Sequence, residues 1–513
     1  VPWILEIHVI DVGQGESTLL VADDLAGETR SMLIDGGEAG TARRVHEYVT
    51  AVGAQVDHLV TSHYDDDHSG GILALLIADN VYAVASAIAQ TVGAQLTVGT
   101  RAQQIAGFAA AACSAVLGAY GPAQGQAAAR ATAARLGVGG VGDAAAATFG
   151  IEEAEGWPPA GAQPRLNYST TTRRDLAKKV AISAADAVAA GANVEEAART
   201  AALTKLIKGA PAGSKFSTGG HYADVNVIDI GASPHEPAAY QGAIAGTYTT
   251  GGTAIAAPGL NRHHTPAPAL RSELLFNSGA APVNPPANAP AAVVAAINRT
   301  TLPNGAVFPP SSQPDNDVSL GLVVQFNNFL YWTAGDLPWQ GENLVGNAVM
   351  AAALPRPGGG NFPLGTKFAC FKAGHHGANT ATSEAFLKKV KPSGALISCG
   401  FHQSFQHPGQ AVIERLHNRP SVQRFFLTNC NFETRFIPAS EGRNQLTAAN
   451  NKSRVAGDNR RPNRAPGRSQ GDIQLTVTEA NSLLGAIPGR QYRVDYWEED
   501  AKPPAVRPDI STF

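Results

Sequence analysis

The chain has 513 residues, enough for two or three domains or for one large domain carrying insertions. Apolar residues make up 44% of it and charged residues 16%, against roughly 25% in an average soluble domain, so a full core lies beneath a largely small and neutral surface. A net charge of −3 excludes a global attraction to nucleic acid and leaves only a local patch for binding polyanions.

Cys113, Cys370, Cys399 and Cys430 stand far apart without CxxC spacing, which argues against zinc fingers and redox motifs and leaves buried free thiols. No stretch resembles a signal peptide, and the longest weakly polar run, Ile105 to Tyr120, is shorter than the roughly 20 strongly apolar residues of a bilayer span. A soluble, cytoplasmic protein with no membrane partner is expected, although the chain opens on Val1 rather than Met.

Residues 3 to 80 read as compact α/β. Trp3 to Val12 alternates apolar and polar positions, Ser17 to Ala22 is a second strand, and Ser31 to Ile34 a third that ends at Asp35-Gly36-Gly37. Arg43 to Val52 is helical, and His58 to Thr61 is a short buried strand running into an acidic loop. From 82 to 312 the texture changes to an Ala/Gly-rich insertion. Its first part has helix propensity at Phe108 to Leu117, Ala127 to Leu136 and Asp175 to Ala190. Residues 215 to 312 suggest loops and short strands, with an extended linker from Ala280 to Pro290.

Regular patterning returns at Val318. Ser319 to Gln325 and Phe329 to Thr333 form a hairpin about Asn327-Asn328. Strands follow at Phe368 to Lys372, Ala395 to Ser398 and Gln423 to Leu427, with helices at Ser383 to Val390 and Gln410 to His417. A loop insertion spans 431–468, and strands at Ile473 to Thr478 and Arg490 to Val494 close the order. The division is a first core part (1–81), an insertion placed as a lid (82–312), a second core part (313–497) and a C-terminal tail (498–513).

The sharpest chemical signal is Thr61-Ser62-His63-Tyr64-Asp65-Asp66-Asp67-His68-Ser69-Gly70-Gly71. It follows an apolar strand, so its side chains fall at a strand's C-terminal edge, where α/β sheets place ligands. His63 and Asp65, two apart, can point the same way, while Asp67 and His68 sit where the chain turns toward a helix. Imidazole with carboxylate suits zinc, manganese or iron. A solvated acidic turn is the alternative, made improbable by two histidines bracketing three aspartates.

His-x-Asp-x-Asp-His-x-Gly-Gly resembles the second motif of the metallo-β-lactamase superfamily, HxHxDH. Its Asp65 variant is similar to the subgroup typified by the hydrolase-like domain of ComEC, the bacterial DNA-uptake channel protein. Asp11-Val12-Gly13-Gln14-Gly15-Glu16-Ser17 resembles that group's DVGQGDS, and Leu33-Ile34-Asp35-Gly36-Gly37 the first superfamily motif. Asn316-Asp317-Val318-Ser319-Leu320 and Thr333-Ala334-Gly335-Asp336-Leu337 resemble NDxSL and TGD. Lys372-Ala373-Gly374-His375-His376-Gly377 resembles KxPHHGS, followed by His407-Pro408, Thr428-Asn429 and Gly471-Asp472-Ile473. Residues 3–80, 315–430 and 470–495 are covered; neither insertion is.

The resemblance implies an αββα sandwich, interrupted by the Ala/Gly-rich, partly helical insertion, that binds two divalent transition metals, Zn or Mn. His63 and Asp65 would hold one metal and Asp67 and His68 the other. Asp336 would bridge them, and His376, or its neighbour His375, would complete the second site. Asp35 would orient a ligand. Asp317 stands where classical members supply a third histidine. A metal-bridged hydroxide would be the nucleophile, with Asp67 in the catalytic set.

Lys372 is either a cation offsetting phosphoryl charge or a surface lysine, and His407 either a proton donor to a leaving group or a His-Pro turn. His221, His263 and His264 read as solvated loop histidines. The basic run from Asn451 to Arg468, with Arg460, Arg461 and Arg464, suits a phosphate backbone or a solvated loop. The expected function is a metal-dependent phosphodiesterase or nuclease acting on a phosphodiester substrate such as nucleic acid. A small-ester, lactone or amide hydrolase and a non-catalytic scaffold are the alternatives, and neither substrate nor oligomeric state is legible.

Overall fold

A computed structural model describes residues 3–27, 29–76, 225–229, 314–317, 319–354, 361–400, 407–429, 452–456, 471–478 and 491–498, with strand segments between 247 and 297 and at 505–512. Strands β1 (Ile4–Val9), β2 (Thr18–Asp23), β3 (Thr29–Ile34) and β4 (His58–Val60) fall within or beside the segments expected as strands. The first three form an antiparallel meander, and β4 adds parallel to β3 after helix α1 (Ala42–Ala51). Helix α2 (Asp66–Leu76) begins inside the acidic loop, where Asp66 and Asp67 face the positive end of its dipole.

The region expected as a separate insertion contributes to the core. β5 (Asn226–Asp229) pairs parallel with β4, and β8 (Asn261–His264) extends that sheet; β6 (Thr247–Thr250) and β7 (Thr253–Ala256) form a small hairpin. β9 (Arg271–Leu275) and β10 (Val293–Ile297) join a second sheet. That sheet continues through β11 (Gly321–Phe326), β12 (Phe329–Thr333), β13 (Cys370–Lys372), β14 (Gly394–Ile397), β15 (Arg424–Leu427) and β16 (Ser453–Val455). His263 and His264 thus stand on a strand rather than a loop. His221, the three Ala-rich helices and the Ala280 to Pro290 linker lie outside the described residues.

Two further expectations are corrected. Residues 431–468 are not loop throughout, because β16 pairs parallel with β15. The 498–513 tail carries β19 (Ala505–Thr512), antiparallel to β18 (Gln491–Glu498), which pairs with β17 (Ile473–Thr478). Both segments are too polar to announce a strand, and a partner already in place supplies the pairing.

The first sheet runs β19-β18-β17-β1-β2-β3-β4-β5-β8 and the second β16-β15-β14-β13-β12-β11-β10-β9. Leu5, Ile7 and Val9 of β1 pack in one core with Val324, Tyr331, Leu396 and Phe426 of the second sheet, so the sheets face each other. Alternate residues point outward: His8 meets Tyr48 of α1 at 3.0 Å. On the other side, helices α3 (Trp339–Met350), α4 (Glu384–Val390) and α5 (Gln410–Asn418) bury Val345, Phe386 and Ile413 against Val323, Phe371 and Phe425. The layers are helix, sheet, sheet, helix. Each fully buried Leu, Ile, Val or Phe contributes about 1.5–3 kcal/mol. Of the four cysteines, Cys370 and Cys399 are described, both buried and neither in a disulfide. Among the described residues no helix is long and apolar enough to cross a membrane.

Candidate metal centre

The ligand candidates come from turns at one edge of the two sheets. β4 ends at Val60, and Asp35 after β3 reaches across to it: its carboxylate accepts the Ser62 backbone N–H at 2.7 Å and the Ser62 hydroxyl at 2.6 Å. Glycines let the backbones meet here. Gly36 N donates to His68 O at 2.9 Å and Gly71 N to Gly37 O at 2.7 Å. A Cβ on Gly71 would overlap the Gly36 carbonyl.

Histidine tautomers follow from these partners. His68 Nδ1 lies 2.8 Å from Asp35 Oδ2, so it carries the proton and leaves a lone pair on Nε2. His376 Nδ1 lies 3.0 Å from the Ser398 carbonyl, an acceptor only, with the same consequence. His63 Nδ1 lies 3.1 Å from Ser62 Oγ, whose hydrogen is already given to Asp35. Three Nε2 lone pairs therefore face the interior of the turn cluster. His63 Nε2 and Asp336 Oδ1 are buried without a hydrogen-bond partner.

Their spacing fits a cation. Two ligands each about 2.1 Å from a tetrahedral ion stand roughly 3.4 Å apart. His376 Nε2 lies 3.3 Å from Asp67 Oδ2, 3.4 Å from Asp336 Oδ1 and 3.1 Å from His68 Nε2. His68 Nε2 lies 3.0 Å from Asp336 Oδ1. Among the described residues three groups could hold an ion, His63-His68-Asp336, Asp67-His68-His376 and Glu16-Asp35-His68, all sharing His68. Asp65 Oδ2 stands 3.6 Å from His63 Nε2 with its side chain 47% exposed, beside the first group rather than in it. The donor set of imidazole and carboxylate matches a divalent transition metal, without selecting one.

The electrostatics agree. Burial raises the Asp336 and Asp67 carboxyls, but the neighbouring histidines outweigh it and hold both well below the usual range. Burial lowers His68 and His376, but Asp336 with Asp35, and Asp336 with Asp67, outweigh it and raise both. Asp35 is likewise held low against its burial, chiefly by His68. A cation in the same place satisfies these carboxylates without protonating the rings.

The remaining candidates are placed as follows. His375 Nε2 lies 3.5 Å from Asp336 Oδ2, outside the groups that could hold an ion, whereas His376 is a member of one. Both residues are left-handed, at φ 49° and 52°, strain of about 1–3 kcal/mol each that turns the two rings apart. Asp317 is buried in the turn Pro314–Asp317 and joins none of the ion-holding groups. His407 stands with its ring centroid 5.4 Å from His375 and 6.0 Å from His376. Burial, with the charges of His376 and His375, pushes it down to about 4.

Lys372 is fully buried, ion-paired with Glu16 and donating to Gly335 O at 3.1 Å, and is neither a surface lysine nor open to a substrate. Arg460, Arg461 and Arg464 lie outside the described residues. Four contributors escaped the sequence reading: Glu16, Ser62, Ser398 and Gln14, whose amide donates to Asp67 Oδ2 at 3.2 Å. Glu16 carried a signal as a charge set between two small residues, Gly15 and Ser17.

No protein-family model matches the chain. Parts of it are similar to ComE operon protein 3 of Bacillus subtilis, 31% identical over 107 residues, which is 21% of this chain and 12% of that protein. Competence protein ComA of Neisseria gonorrhoeae is 34% identical over 103 residues, 20% of this chain and 13% of its own length. Recombination protein 2 of Haemophilus influenzae is 42% identical over 56 residues, 11% and 7% respectively. The matches support the resemblance to ComEC-like competence proteins and span only a small part of each relative.

Proposed function

We propose that the chain is a metal-dependent hydrolase of metallo-β-lactamase architecture that cleaves phosphodiester bonds, with nucleic acid as its substrate class. The observation that carries it is the convergence of the His63, His68 and His376 Nε2 lone pairs on the buried carboxylate of Asp336 and the half-buried carboxylate of Asp67. The layer order helix, sheet, sheet, helix supports the architecture. Relatives named for competence and recombination support a role in DNA uptake.

When bound, two divalent cations such as Zn or Mn supply Lewis acidity and bring the pKa of water toward neutrality. The chain's own residues hold that chemistry in place. Asp336 turns Oδ1 toward His68 and His376 and Oδ2 toward His375, spanning the cluster. Asp35 and the Ser398 carbonyl keep His68 and His376 in the ligating tautomer, and Gln14 orients Asp67. Neutral His407 accepts a proton or hydrogen bond at the rim of the site. With Lys372 enclosed, the phosphodiester preference rests on the relatives rather than on an open lysine, which is what favours the second reading, an ester or lactone hydrolase.

The test is metal analysis of purified protein, then turnover of bis(p-nitrophenyl) phosphate and of single- and double-stranded DNA. Diester turnover that is lost with chelator and in Asp336→Ala is expected. Ester or lactone turnover alone overturns the substrate class. Two bound metals with no turnover of any of these leaves a binding protein.

A further inference from the structure

Glu16 and Lys372 form a fully buried ion pair, and Glu16 also lies with Asp35 and His68 in a group whose atoms are close enough to hold an ion. Such a pair is a poor source of stability, because apolar side chains of similar volume do as well or better. Its connections are informative. Glu16 N donates to Asp67 O at 3.0 Å, and Glu16 O accepts from Gly37 N at 2.7 Å. The Glu16 carboxylate also accepts from Thr333 Oγ1 at 3.4 Å and stands 3.8 Å from His68 Nδ1. On the other side, Lys372 Nζ donates to Gly335 O, which accepts from His375 N at 3.1 Å as well.

One ion pair thus ties together four turns. These carry Asp35, Asp67 with His68, Asp336, and His375 with His376. The four follow four different strands, two in each sheet, and no local hydrogen bond within a turn sets its distance from the others. Gly335, at φ 47°, is pressed so closely on Ser62 that a Cβ would overlap the hydroxyl, so the Asp336 turn is fixed from that side too.

We infer that Glu16 and Lys372 are positioning residues that hold the ligand-bearing turns of the two sheets in register, and that Lys372 acts on the metal centre rather than on the substrate. This rests on the metal-centre reading above. Lys372 has no exposed surface, and its ammonium is engaged by Glu16 and Gly335, so it cannot reach a substrate without breaking the pair.

The experiment measures metal retention by chelator competition and the Mn(II) EPR spectrum of the full chain, for the parent, Glu16→Gln, Lys372→Met and the double variant. Each single substitution is expected to weaken retention about 10–100-fold and to broaden the spectrum, as removal of a supporting group around a metal does. The double variant is expected to be no worse than the worse single, since the two residues act as one device. Turnover of the small diester at saturating metal should recover most of its parental rate. Parental retention in both single variants, or lowered kcat in Lys372→Met at saturating metal with Glu16→Gln unaffected, overturns the inference and returns Lys372 to the substrate. If Lys372→Met does not fold, the near-isosteric Glu16→Gln decides alone. A parent that binds no metal overturns the metal-centre reading itself, an outcome separate from variants that match a metal-binding parent.

Discussion

At the residue scale, the centre is a set of opposed titrations. Burial opposes charge on every group, yet Asp336 with Asp35 raises His68, Asp336 with Asp67 raises His376, and the rings in turn lower the carboxyls. Without metal, the raised histidines stabilise the fold fully below their ordinary value of 6.5, and that contribution is lost as pH rises through their folded-state values. The lowered carboxyls stabilise above their ordinary 3.8, and that contribution is lost as pH falls through theirs. Chelator-treated protein should therefore melt highest at mildly acidic pH. Metal must displace the ring protons, so affinity should rise with pH by up to about tenfold per unit for each proton displaced, and the loaded protein's optimum should move upward. Melting temperatures across pH, with chelator and with Mn or Zn, check this; metal-free protein most stable in alkali contradicts it.

At the element scale, the site depends on how closely α2 approaches the turn after β3. Gly71 and Gly36 bring two backbones together, and α2 starts with Asp67 and His68 already aimed at the cluster. Gly71→Ala forces the helix away from Gly36. It should cost about 1–3 kcal/mol or more in urea unfolding of the chelated protein, and it should also weaken metal retention. A variant that unfolds like the parent would show that the approach is slack. The elements themselves were legible: the period-2 runs gave β1 to β4 and the β11–β12 hairpin, and the amphipathic run at Gln410 gave α5. Strands β16 and β19 were not, because polar edge strands take their stability from the neighbour they pair with rather than from their own pattern.

At the scale of the whole molecule, a net charge of −3 means that any affinity for a polyanion is local. Arg460, Arg461 and Arg464 supply such a cluster in sequence, outside the described residues. Replacing all three with Ala should weaken binding to DNA and reduce the log–log salt slope by about 0.7–0.9 for each phosphate that is no longer neutralised. Turnover of a small chromogenic diester should stay unchanged if the arginines act on polymer binding alone. Titrations at several salt concentrations provide the check, and an unaltered slope removes the arginines from the nucleic-acid reading.

The sequence by itself determined the chemistry of the site and the chain order of its parts. His63, Asp67 and His68 stood out as candidate ligands in one short run of imidazoles and carboxylates, while Asp336 and His376 were pointed to by the resemblance of their motifs to a known family. Tertiary structure alone placed His376 rather than His375 within a group that could hold an ion, because adjacent residues differ only in where a left-handed backbone turns each ring. It also decided that Lys372 faces Glu16, 356 positions away, and that strands from the supposed insertion complete both sheets. Those outcomes depend on what a side chain or strand meets across the fold, and no local pattern encodes the partner.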